Sequence, residues 1–306
     1  MNTNVHPFPH VDGHPTLAEI ELTSACNARC VFCPRHLFTA PKLMTRATFE
    51  QLLIRLVQGG VSHAKLVGIG EPTLHPDLLW MMRRLREANI APILNTNGSK
   101  LHDWDLAELL SLAEEVIVSV HSLDRETHVS IFGTDFYDAA MRNIDALLRE
   151  NEKFGKTVTL YVVLTTLNAD ALKEFERFGS KVRLRVSGCT NRALEGFAHQ
   201  LIDLKAARKF NHYGTISSEA PMCGYAQAAL VVDATGKYLL CTNDVERNTG
   251  LGTIWDHSVS EVFSAIRGGL ARGDFLWMCR RCENFEPYRQ QLEAAAPLPL
   301  ARQSGS

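Results

Sequence analysis

The 306-residue sequence predicts an α/β fold: a partial (β/α)6 barrel of the TIM type, followed by a small unit of one β-hairpin and one helix. Two observations support the barrel. Short apolar, β-branched runs alternate with helix-like segments through the first two thirds of the chain, which is typical of parallel βα units. These runs also carry polar residues on one face, as strands around a polar lumen would. A third observation, a change of pattern after about residue 215, predicts the smaller unit.

Six strands are predicted, separated by helices whose crossovers are expected to be right-handed. The strand candidates lie at 18–23, 64–70, 91–97, 115–122, 157–165 and 182–188. The helix candidates lie at 45–58, 76–89, 105–113, 137–152 and 169–178. Thr45 and Asp135 stand where N-caps are expected, because their side chains can accept hydrogen bonds from the first backbone N–H groups of a helix. Repeated units of this kind curl into an open or a closed barrel.

The two faces of the predicted strands differ in polarity. In the fourth strand Val116, Val118 and Val120 share one face, whereas Ser119 and His121 share the other. Strands covered by apolar layers on both sides should be apolar on both faces. The pattern therefore allows a solvated antiparallel sheet or a barrel with a polar lumen, and the intervening helices favour the barrel. The active site of such a barrel is expected at the C-terminal ends of the strands.

The last third of the chain predicts the smaller unit. Residues 229–243 have the pattern of a β-hairpin with the turn at Asp233–Gly236, and a short helix is predicted at 258–267. The expected organisation is a flexible leader (1–15), a core barrel (16–190), the smaller unit (191–288) and a mobile tail (289–306).

Composition and charge exclude several classes of partner. The formal net charge is −2 and no basic block is present, which argues against nucleic acid as the main partner. No apolar run approaches the roughly 20 residues that a membrane span needs, so no membrane partner is expected. The first residues lack the basic-then-apolar order of a secretion signal, and a cytoplasmic location is expected.

Three cysteines, Cys26, Cys30 and Cys33, have C-x3-C-x2-C spacing directly after the first predicted strand. Thiolates suit zinc, Cu(I) or iron–sulfur clusters. Structural zinc takes four closed ligands, and catalytic zinc takes three ligands plus water. An iron–sulfur cubane held by only three cysteines has one iron open for a small molecule. The position of the motif places this open site at the mouth of the predicted barrel.

The motif and its surroundings resemble the radical S-adenosylmethionine (SAM) enzymes. Phe32 precedes the last cysteine, as an aromatic residue does in that superfamily, and "GIGEP" (68–72) resembles its GGEP motif. Ile69 departs from the commonest form of the motif, whereas Gly70, Glu71 and Pro72 are retained. The resemblance implies that the backbone and the carboxylate of this motif hold the methionyl amine of SAM. An alternative role for Glu71 is that of an acidic residue at the N-terminus of a helix, ahead of Pro72.

Other residues extend the resemblance along the strands. "NTNG" (95–98), with Asn95, ends the third strand, and Ser119 and His121 point inward on the fourth, where the superfamily contacts the polar groups of SAM. Arg183 or Arg185 on the sixth strand is expected to pair with the SAM carboxylate, because guanidinium binds carboxylate through two hydrogen bonds.

The resemblance implies the cofactors and the chemistry. Cys26, Cys30 and Cys33 would ligate a [4Fe-4S] cluster, and SAM would bind its open iron. An external one-electron reductant such as flavodoxin or ferredoxin would reduce the cluster, and SAM would be cleaved to methionine and a 5′-deoxyadenosyl radical that abstracts a substrate hydrogen. A polar lumen closed against water fits this chemistry.

Four further cysteines, Cys223, Cys241, Cys279 and Cys282, predict a second site. Four thiolates suffice for a closed zinc site or a [4Fe-4S] cluster, and spacing alone leaves both open. The order of elements resembles the SPASM module in its shorter, one-cluster twitch form. This resemblance implies a second, auxiliary [4Fe-4S] cluster that accepts an electron from the substrate radical, with a purely structural role as the alternative.

The remaining cysteine, Cys189, follows the sixth predicted strand. It is expected to be a small buried apolar residue, a hydrogen-atom donor to a substrate radical, or a ligand of the auxiliary cluster. Asn191 and Arg192 nearby are expected either to contact substrate or to cap the next turn.

Several functions stay open at the level of the sequence. The favoured reaction is oxidation (dehydrogenation) of a small natural product or a peptide residue, and the runner-up is epimerisation with the Cys189 thiol as hydrogen donor. A radical methylthiotransferase acting on tRNA ranks lower, because no basic RNA-binding appendage is visible. A non-catalytic metal-binding scaffold is the alternative from another class.

Overall fold

The structure, a computed structural model, describes residues 15–38, 40–194, 197–203 and 229–282, together with Ala206, Phe210, Cys223 and Ala226. The predicted mobile tail and all of the predicted leader except Pro15 lie outside the described residues. None of the helices in the described part of the chain is long and apolar enough to cross a bilayer.

The six predicted strands form and are parallel to one another. They are β1 (Leu17–Ile20), β2 (His63–Leu66), β3 (Ala91–Thr96), β4 (Glu115–Ser119), β5 (Thr157–Leu164) and β6 (Arg183–Gly188). Each pairs in parallel with the next along the chain, so the alternative of a solvated antiparallel sheet is wrong for this part of the molecule. The sheet does not close, because β6 stays at one edge of an eight-stranded sheet.

Helices connect the strands and cover one face of the sheet. They are α1 (Arg46–Gln58), α2 (Leu78–Glu87), α3 (Leu106–Leu112), α4 (Arg125–Phe132), α5 (Tyr137–Asn151), α6 (Val259–Arg272) and α7 (Leu276–Cys279). Short 3-10 helices occur at Pro34–Leu37, Pro72–Leu74, Leu101–Asp103, Ala171–Lys181 and His199–Leu201.

One of the two predicted N-cap residues is confirmed and the other is wrong. The Thr45 side chain accepts a hydrogen bond from the Thr48 N–H group and caps α1 as predicted. The N-cap of α5 is Phe136, so the prediction for Asp135 is wrong; its carboxylate instead pairs with Arg125 at 2.7 Å. An ion pair to a neighbouring helix therefore takes the place of a cap.

Two segments have a different helical character from the prediction. The sequence misses α4, which Asp124 caps by accepting a hydrogen bond from Thr127 N–H at 2.9 Å. The helix predicted at 169–178 is a 3-10 helix that is kinked at Gly179, where φ is 52°. A left-handed backbone at that residue interrupts regular α-helical hydrogen bonding.

The helices cover the apolar face of the strands, as the sequence predicts. Val116, Val118 and Val120 are buried in the main apolar core with the helices, together with Leu160 and Val162 of β5. The opposite face carries the polar residues and borders a cavity. Polar and apolar side chains both line this cavity, so a polar lumen stays a prediction.

The predicted hairpin forms but is part of the barrel sheet. Strand β7 (Leu230–Val232) lies parallel beside β1, and β8 (Tyr238–Leu239) is antiparallel to β7. The turn is closed by a 2.9 Å hydrogen bond from Gly236 N–H to the Asp233 carbonyl, and Gly236 has φ 84°, a left-handed value that favours glycine. The expected boundary between core and smaller unit stays a prediction, although one continuous sheet crosses it.

Candidate active site

A cavity opens at the C-terminal ends of the parallel strands, where the sequence predicts the active site. Its wall includes Asn95 on β3, Ser119 at the end of β4, Tyr161 and Val163 on β5, and Ser187 on β6. Residues that share the lumen face of neighbouring strands therefore meet around one space.

The cysteine loop after β1 forms part of this wall, and it is held in place by the end of α4. Cys26, Cys30 and Cys33 all line the cavity. The N–H groups of Arg29 and Val31 donate to carbonyl groups at the end of α4, at 2.8 and 2.9 Å. The helix that the sequence misses is thus a support of the predicted site.

The chemistry of the three thiols fits an iron–sulfur cluster. Burial raises the pKa of Cys26 to about 12 and raises the pKa values of Cys30 and Cys33 as well. At Cys30 the two neighbouring thiols add to the rise. Such thiols ionise only beside a positive partner, and metal binding supplies one. Three thiolates around one cavity leave a fourth position for another ligand, as a [4Fe-4S] cluster with an open iron requires.

The "GIGEP" loop packs directly against the cysteine loop. A Cβ atom on Gly70 would lie 2.0 Å from the Thr23 carbonyl oxygen and 2.6 Å from that of Ala25, so only glycine fits. The Glu71 N–H group donates to the same Ala25 carbonyl at 2.8 Å. The glycine thereby allows two backbone segments of the site to touch.

The Glu71 carboxylate is buried and joins the ends of two strands. One oxygen accepts hydrogen bonds from Thr73 N–H (3.1 Å), Thr73 Oγ1 (2.7 Å) and Thr96 Oγ1 (2.6 Å), and the other accepts from Asn97 N–H at 2.7 Å. Burial raises the pKa of Glu71, while these hydrogen bonds oppose the rise. Glu71 also caps the 3-10 helix that begins at Pro72, as the alternative stated, and it lines the cavity, so its role in SAM binding stays a prediction.

His121 enters the cavity wall in one fixed tautomer. Val163 N–H donates to His121 Nδ1 at 3.1 Å, so the neutral ring carries its proton on Nε2. Burial lowers the pKa of His121 to about 3, which keeps the ring neutral. It lies edge-on to Phe32 at 5.1 Å and stacks on Phe132 at 4.7 Å between ring centroids. Both predicted residues, Phe32 and His121, therefore line the cavity.

The two predicted arginines do not reach the cavity. Arg183 begins β6 and is exposed, and its guanidinium lies 3.7 Å from Glu115, the first residue of β4. It therefore lies at the opposite end of the strands from the mouth. Arg185 is also missing from the cavity wall, whereas Arg192 belongs to it. The position of Arg183 thus argues against its assignment to a carboxylate of SAM, whereas the assignment of Arg185 stays a prediction.

The Cys189 side chain is fully buried in a second apolar cluster with Phe32, Ile131 and Val163. Its neighbours Gly188 and Thr190 line the cavity, but Cys189 does not. The geometry agrees with the expectation of a small buried residue. It gives no basis for the thiol as a hydrogen-atom donor.

The turn after Cys189 links the barrel to the back cysteines. The Asn191 amide donates to the Arg281 carbonyl at 2.6 Å and accepts from Ala193 N–H at 3.2 Å. Arg281 lies between Cys279 and Cys282. Asn191 therefore caps the turn, as one of the two predictions for it stated.

The four back cysteines are buried near one another. Burial raises the pKa of Cys241 well above its ordinary value, and Cys223 and Cys279 add to the rise. Burial also raises the pKa of Cys279 to about 12, with Cys223 adding to it. The Asn243 amide lies 3.7 Å from the Cys282 sulfur. Within the described ranges, no three His, Cys, Asp or Glu side chains are arranged to hold a single metal ion.

Residues next to both groups of cysteines border the cavity. Thr242 and Asn243, which directly follow Cys241, line it together with the three front cysteines. Sequence reasoning misses both residues and Tyr161, whereas Thr96 and Asn97 belong to the "NTNG" motif that it names. Thr242 and Asn243 follow a cysteine and Tyr161 lies on the inward face of a strand, and these positions are the signals that could have identified them.

Comparison with known proteins decides the family. Residues 20–179, just over half of the chain, match the sequence model of the Radical SAM superfamily. The chain belongs to the radical SAM superfamily. Membership in this superfamily implies a [4Fe-4S] cluster and SAM at the front site, in agreement with the donor set described above.

Two curated relatives match the core of this radical SAM protein. A probable GTP 3′,8-cyclase of Thermococcus kodakarensis is 33% identical over 203 residues, which cover 64% of this chain and 60% of the relative. A probable GTP 3′,8-cyclase of Pyrococcus abyssi is 31% identical over 174 residues, which cover 56% of this chain and 55% of the relative. The match thus spans less than two thirds of either relative.

Solved structures extend the similarity in fold to most of the chain. Streptococcus suis SuiB bound to its precursor peptide SuiA has a TM-score of 0.66 at 16% identity, covering 87% of this chain and 68% of SuiB. BtrN in complex with AdoMet and 2-DOIA has a TM-score of 0.56 at 18% identity, covering 88% of this chain and 92% of BtrN. At these identities the similarity concerns the fold alone.

Proposed function

We propose that this radical SAM protein is an oxidoreductase that dehydrogenates a small polar molecule or a peptide residue. In this proposal the four back cysteines hold an auxiliary [4Fe-4S] cluster that accepts an electron. One observation supports it: a single cavity is lined by Cys26, Cys30 and Cys33 and also by Thr242 and Asn243, which directly follow Cys241. A substrate in this cavity would lie near the front cysteines and near a segment that adjoins a back cysteine.

The arrangement meets the needs of a two-electron oxidation. The front cluster and SAM, when bound, supply a radical that removes one hydrogen atom from the substrate. The substrate radical must then lose one further electron and one proton. In this proposal the auxiliary cluster accepts that electron through the segment after Cys241, and water receives the proton.

The residues of the wall favour oxidation over epimerisation. Epimerisation needs a hydrogen-atom donor that faces the substrate, and the Cys189 thiol is buried in an apolar cluster instead. His121 and the Tyr161–Ser187 hydroxyl pair, with oxygens 2.5 Å apart, offer polar contacts to orient a substrate without contributing charge. We expect these groups to bind hydroxyl, amine or peptide groups.

The sequence similarity to probable GTP 3′,8-cyclases favours a second candidate function, a reaction on a nucleoside triphosphate. The charges of the wall support it less well. Arg192 is the sole cationic side chain among the described residues that line the cavity, because His121 is neutral. A triphosphate carries several negative charges and is usually held by several cations.

Metal content after anaerobic reconstitution tests the proposal. The wild type should contain about eight iron atoms, and a Cys26/Cys30/Cys33→Ala variant and a Cys241/Cys279→Ala variant about four each, with matching acid-labile sulfide, if both sites hold cubane clusters. About four iron atoms and one zinc in the wild type, with the zinc lost in the second variant, would contradict the auxiliary cluster and the oxidation that depends on it.

Substrate-dependent formation of 5′-deoxyadenosine separates the two candidate functions. The loaded protein is incubated with SAM, a chemical reductant and either GTP or a panel of amino alcohols and short peptides. The proposal expects stimulation by a member of the panel and a product lighter by two hydrogens. Stimulation by GTP, with a cyclised nucleotide as product, would replace it with the second candidate.

A further inference from the structure

The segment that carries the front cysteines has an unusual distribution of charge. Residues 22–49 contain no aspartate or glutamate, whereas they contain Arg29, Arg35, Lys42 and Arg46. The whole chain has a formal net charge of −2, with acidic residues slightly in excess. The segment is thus distinguished by the absence of carboxylates, which leaves its cations without acidic neighbours in the sequence.

Apolar side chains are exposed within the same segment. Val31 is 37% exposed, Leu37 48% and Leu43 49%. Val31 adjoins Cys30, and Leu37 ends the 3-10 helix that follows Cys33. Exposed apolar groups beside cations are typical of protein-binding surfaces.

Backbone hydrogen bonds bring the second half of the segment beside the cysteine loop. Ser24 N–H donates to the Lys42 carbonyl at 3.0 Å, and a β-bridge joins Thr23 to Leu43. Residues 42 and 43 therefore lie next to the residues that lead into Cys26. We call the exposed side chains of this region the front face: Arg29, Val31, Leu37, Lys42 and Leu43.

The cations of the front face are not neutralised by neighbouring carboxylates. Arg29 and Lys42 form no ion pair with a carboxylate of the described residues. By contrast, Arg46 at the edge of the segment pairs with Asp77 at 2.5 Å. Arg35, behind the face, has a buried Nε atom with no hydrogen-bond partner in the described part of the chain. Exposed cations without a carboxylate partner therefore lie in the segment that carries the front cysteines.

We propose that the front face is the docking surface for the one-electron donor, an acidic carrier protein with a flavin or an iron–sulfur centre. This inference rests on the proposed function, since the reaction needs an electron at the front site. The carrier is oxidised by one electron and the front cluster is reduced by one. Charge complementarity would steer the encounter, and Val31, Leu37 and Leu43 would form the small apolar centre of a transient interface.

Charge reversal on the front face tests the assignment. The full, cluster-loaded protein is mixed in a stopped-flow instrument with a photoreduced bacterial flavodoxin, and bleaching of the cluster absorbance is followed. At low salt the second-order rate for the Arg29→Glu/Lys42→Glu variant should fall by about tenfold or more. The wild-type rate should fall as salt rises, because screening weakens the attraction.

A matched control separates docking from net charge. Arg142 and Arg149 are exposed on α5, and Arg142→Glu/Arg149→Glu changes the net charge by the same amount elsewhere. This control should be reduced by flavodoxin at the wild-type rate. Equal losses in both double variants, or no loss in the front-face variant, would overturn the proposal.

Chemical reduction separates this inference from the proposed function. Dithionite is a small reductant that needs no docking surface, so it should reduce all variants at equal rates. Iron content and melting temperature should also match the wild type, because the substituted side chains are exposed. If dithionite reduces the cluster but no substrate is oxidised, the proposed function fails while the docking result stands.

A Leu37→Asp variant should weaken docking at high salt as well, where the charge effect is screened.

Discussion

Gly70 shows how much of the site depends on a single missing side chain. The contact of its backbone with the Thr23 and Ala25 carbonyl groups joins the "GIGEP" loop to the loop that carries Cys26. No rotation of a side chain could relieve a clash there, because the neighbouring atoms belong to the backbone. The loops would have to separate.

Gly70→Ala should therefore lower SAM affinity by at least about tenfold and cost on the order of 2 kcal/mol in stability, the range of strained backbone positions and overpacking. Equilibrium dialysis of labelled SAM and denaturant unfolding measure the two effects. Gly268→Ala in the middle of α6 is the control, since the nearest group, Arg272, is the end of a flexible side chain at 3.1 Å. It should stabilise the protein by about 0.5–1 kcal/mol. Equal SAM affinity in wild type and Gly70→Ala would contradict this role.

The positions of site residues could be predicted where a sequence motif specifies them. They could be predicted less well where the only guide was the polarity of a strand face. The three front cysteines, Gly70 and Phe32 all lie at the cavity. Arg183 and Arg185 were assigned because they lie on a polar face, but polarity shows the side of a strand and not the position along it. Arg183 is the first residue of β6, so its side chain cannot reach the C-terminal end.

At the scale of elements, strands were more predictable than helices. Period-two alternation marks each parallel strand, whereas α4 has only eight residues and its apolar pattern is too short to stand out. The segment at 169–178 carries a strongly amphipathic pattern, yet it forms 3-10 turns, and the positive φ of Gly179 interrupts the helix. Periodicity predicts which face of such a segment is buried. It does not predict whether the backbone hydrogen bonds are of the α-helical or the 3-10 type.

The start of α6 provides a test at this scale, because the helix leads to α7 and Cys279. Ser258 and Glu261 form a capping box, in which each side chain accepts a hydrogen bond from the backbone of the other residue. Ser258→Ala should cost about 1 kcal/mol of unfolding free energy. Ser264→Ala, at an exposed position within the same helix, should be neutral or slightly stabilising. Indistinguishable denaturation curves for the two variants would show that the cap contributes nothing.

At the scale of the whole molecule, one arginine joins the two halves of the site. The Arg247 guanidinium contacts Glu21 at the end of β1 and Asp233 in the hairpin turn, both at 2.8 Å. It also lies 4.3 Å from the ring of Phe38, which follows the front cysteines. Glu21 in turn accepts a hydrogen bond from Ile69 N–H at 2.9 Å. The hairpin beside Cys241 is thereby connected to the loop of Gly70.

The contact of Arg247 with Glu21 could not be predicted from the sequence, although the first strand and the turn at Asp233 were. Glu21 and Arg247 are 226 positions apart, and no periodicity links residues at that distance. The parallel pairing of β7 with β1 brings them together. Both carboxylates are nearly buried, with side-chain exposures of 6% for Glu21 and 3% for Asp233. Removing the cation would leave two buried negative charges close together.

Arg247→Met should therefore lower the unfolding free energy by about 3–5 kcal/mol, as expected when one partner of a buried ion pair is removed. Arg272→Met, whose exposed pair with Asp274 has a similar 2.7 Å separation, should cost less than about 1 kcal/mol.

If Arg247 also couples the two sites, replacing Cys279 by Ser should weaken SAM binding in the wild type but add little in the Arg247→Met background. Additive losses of SAM affinity in the double variant would mean that the arginine stabilises the fold without linking the sites, since independent residues contribute additively.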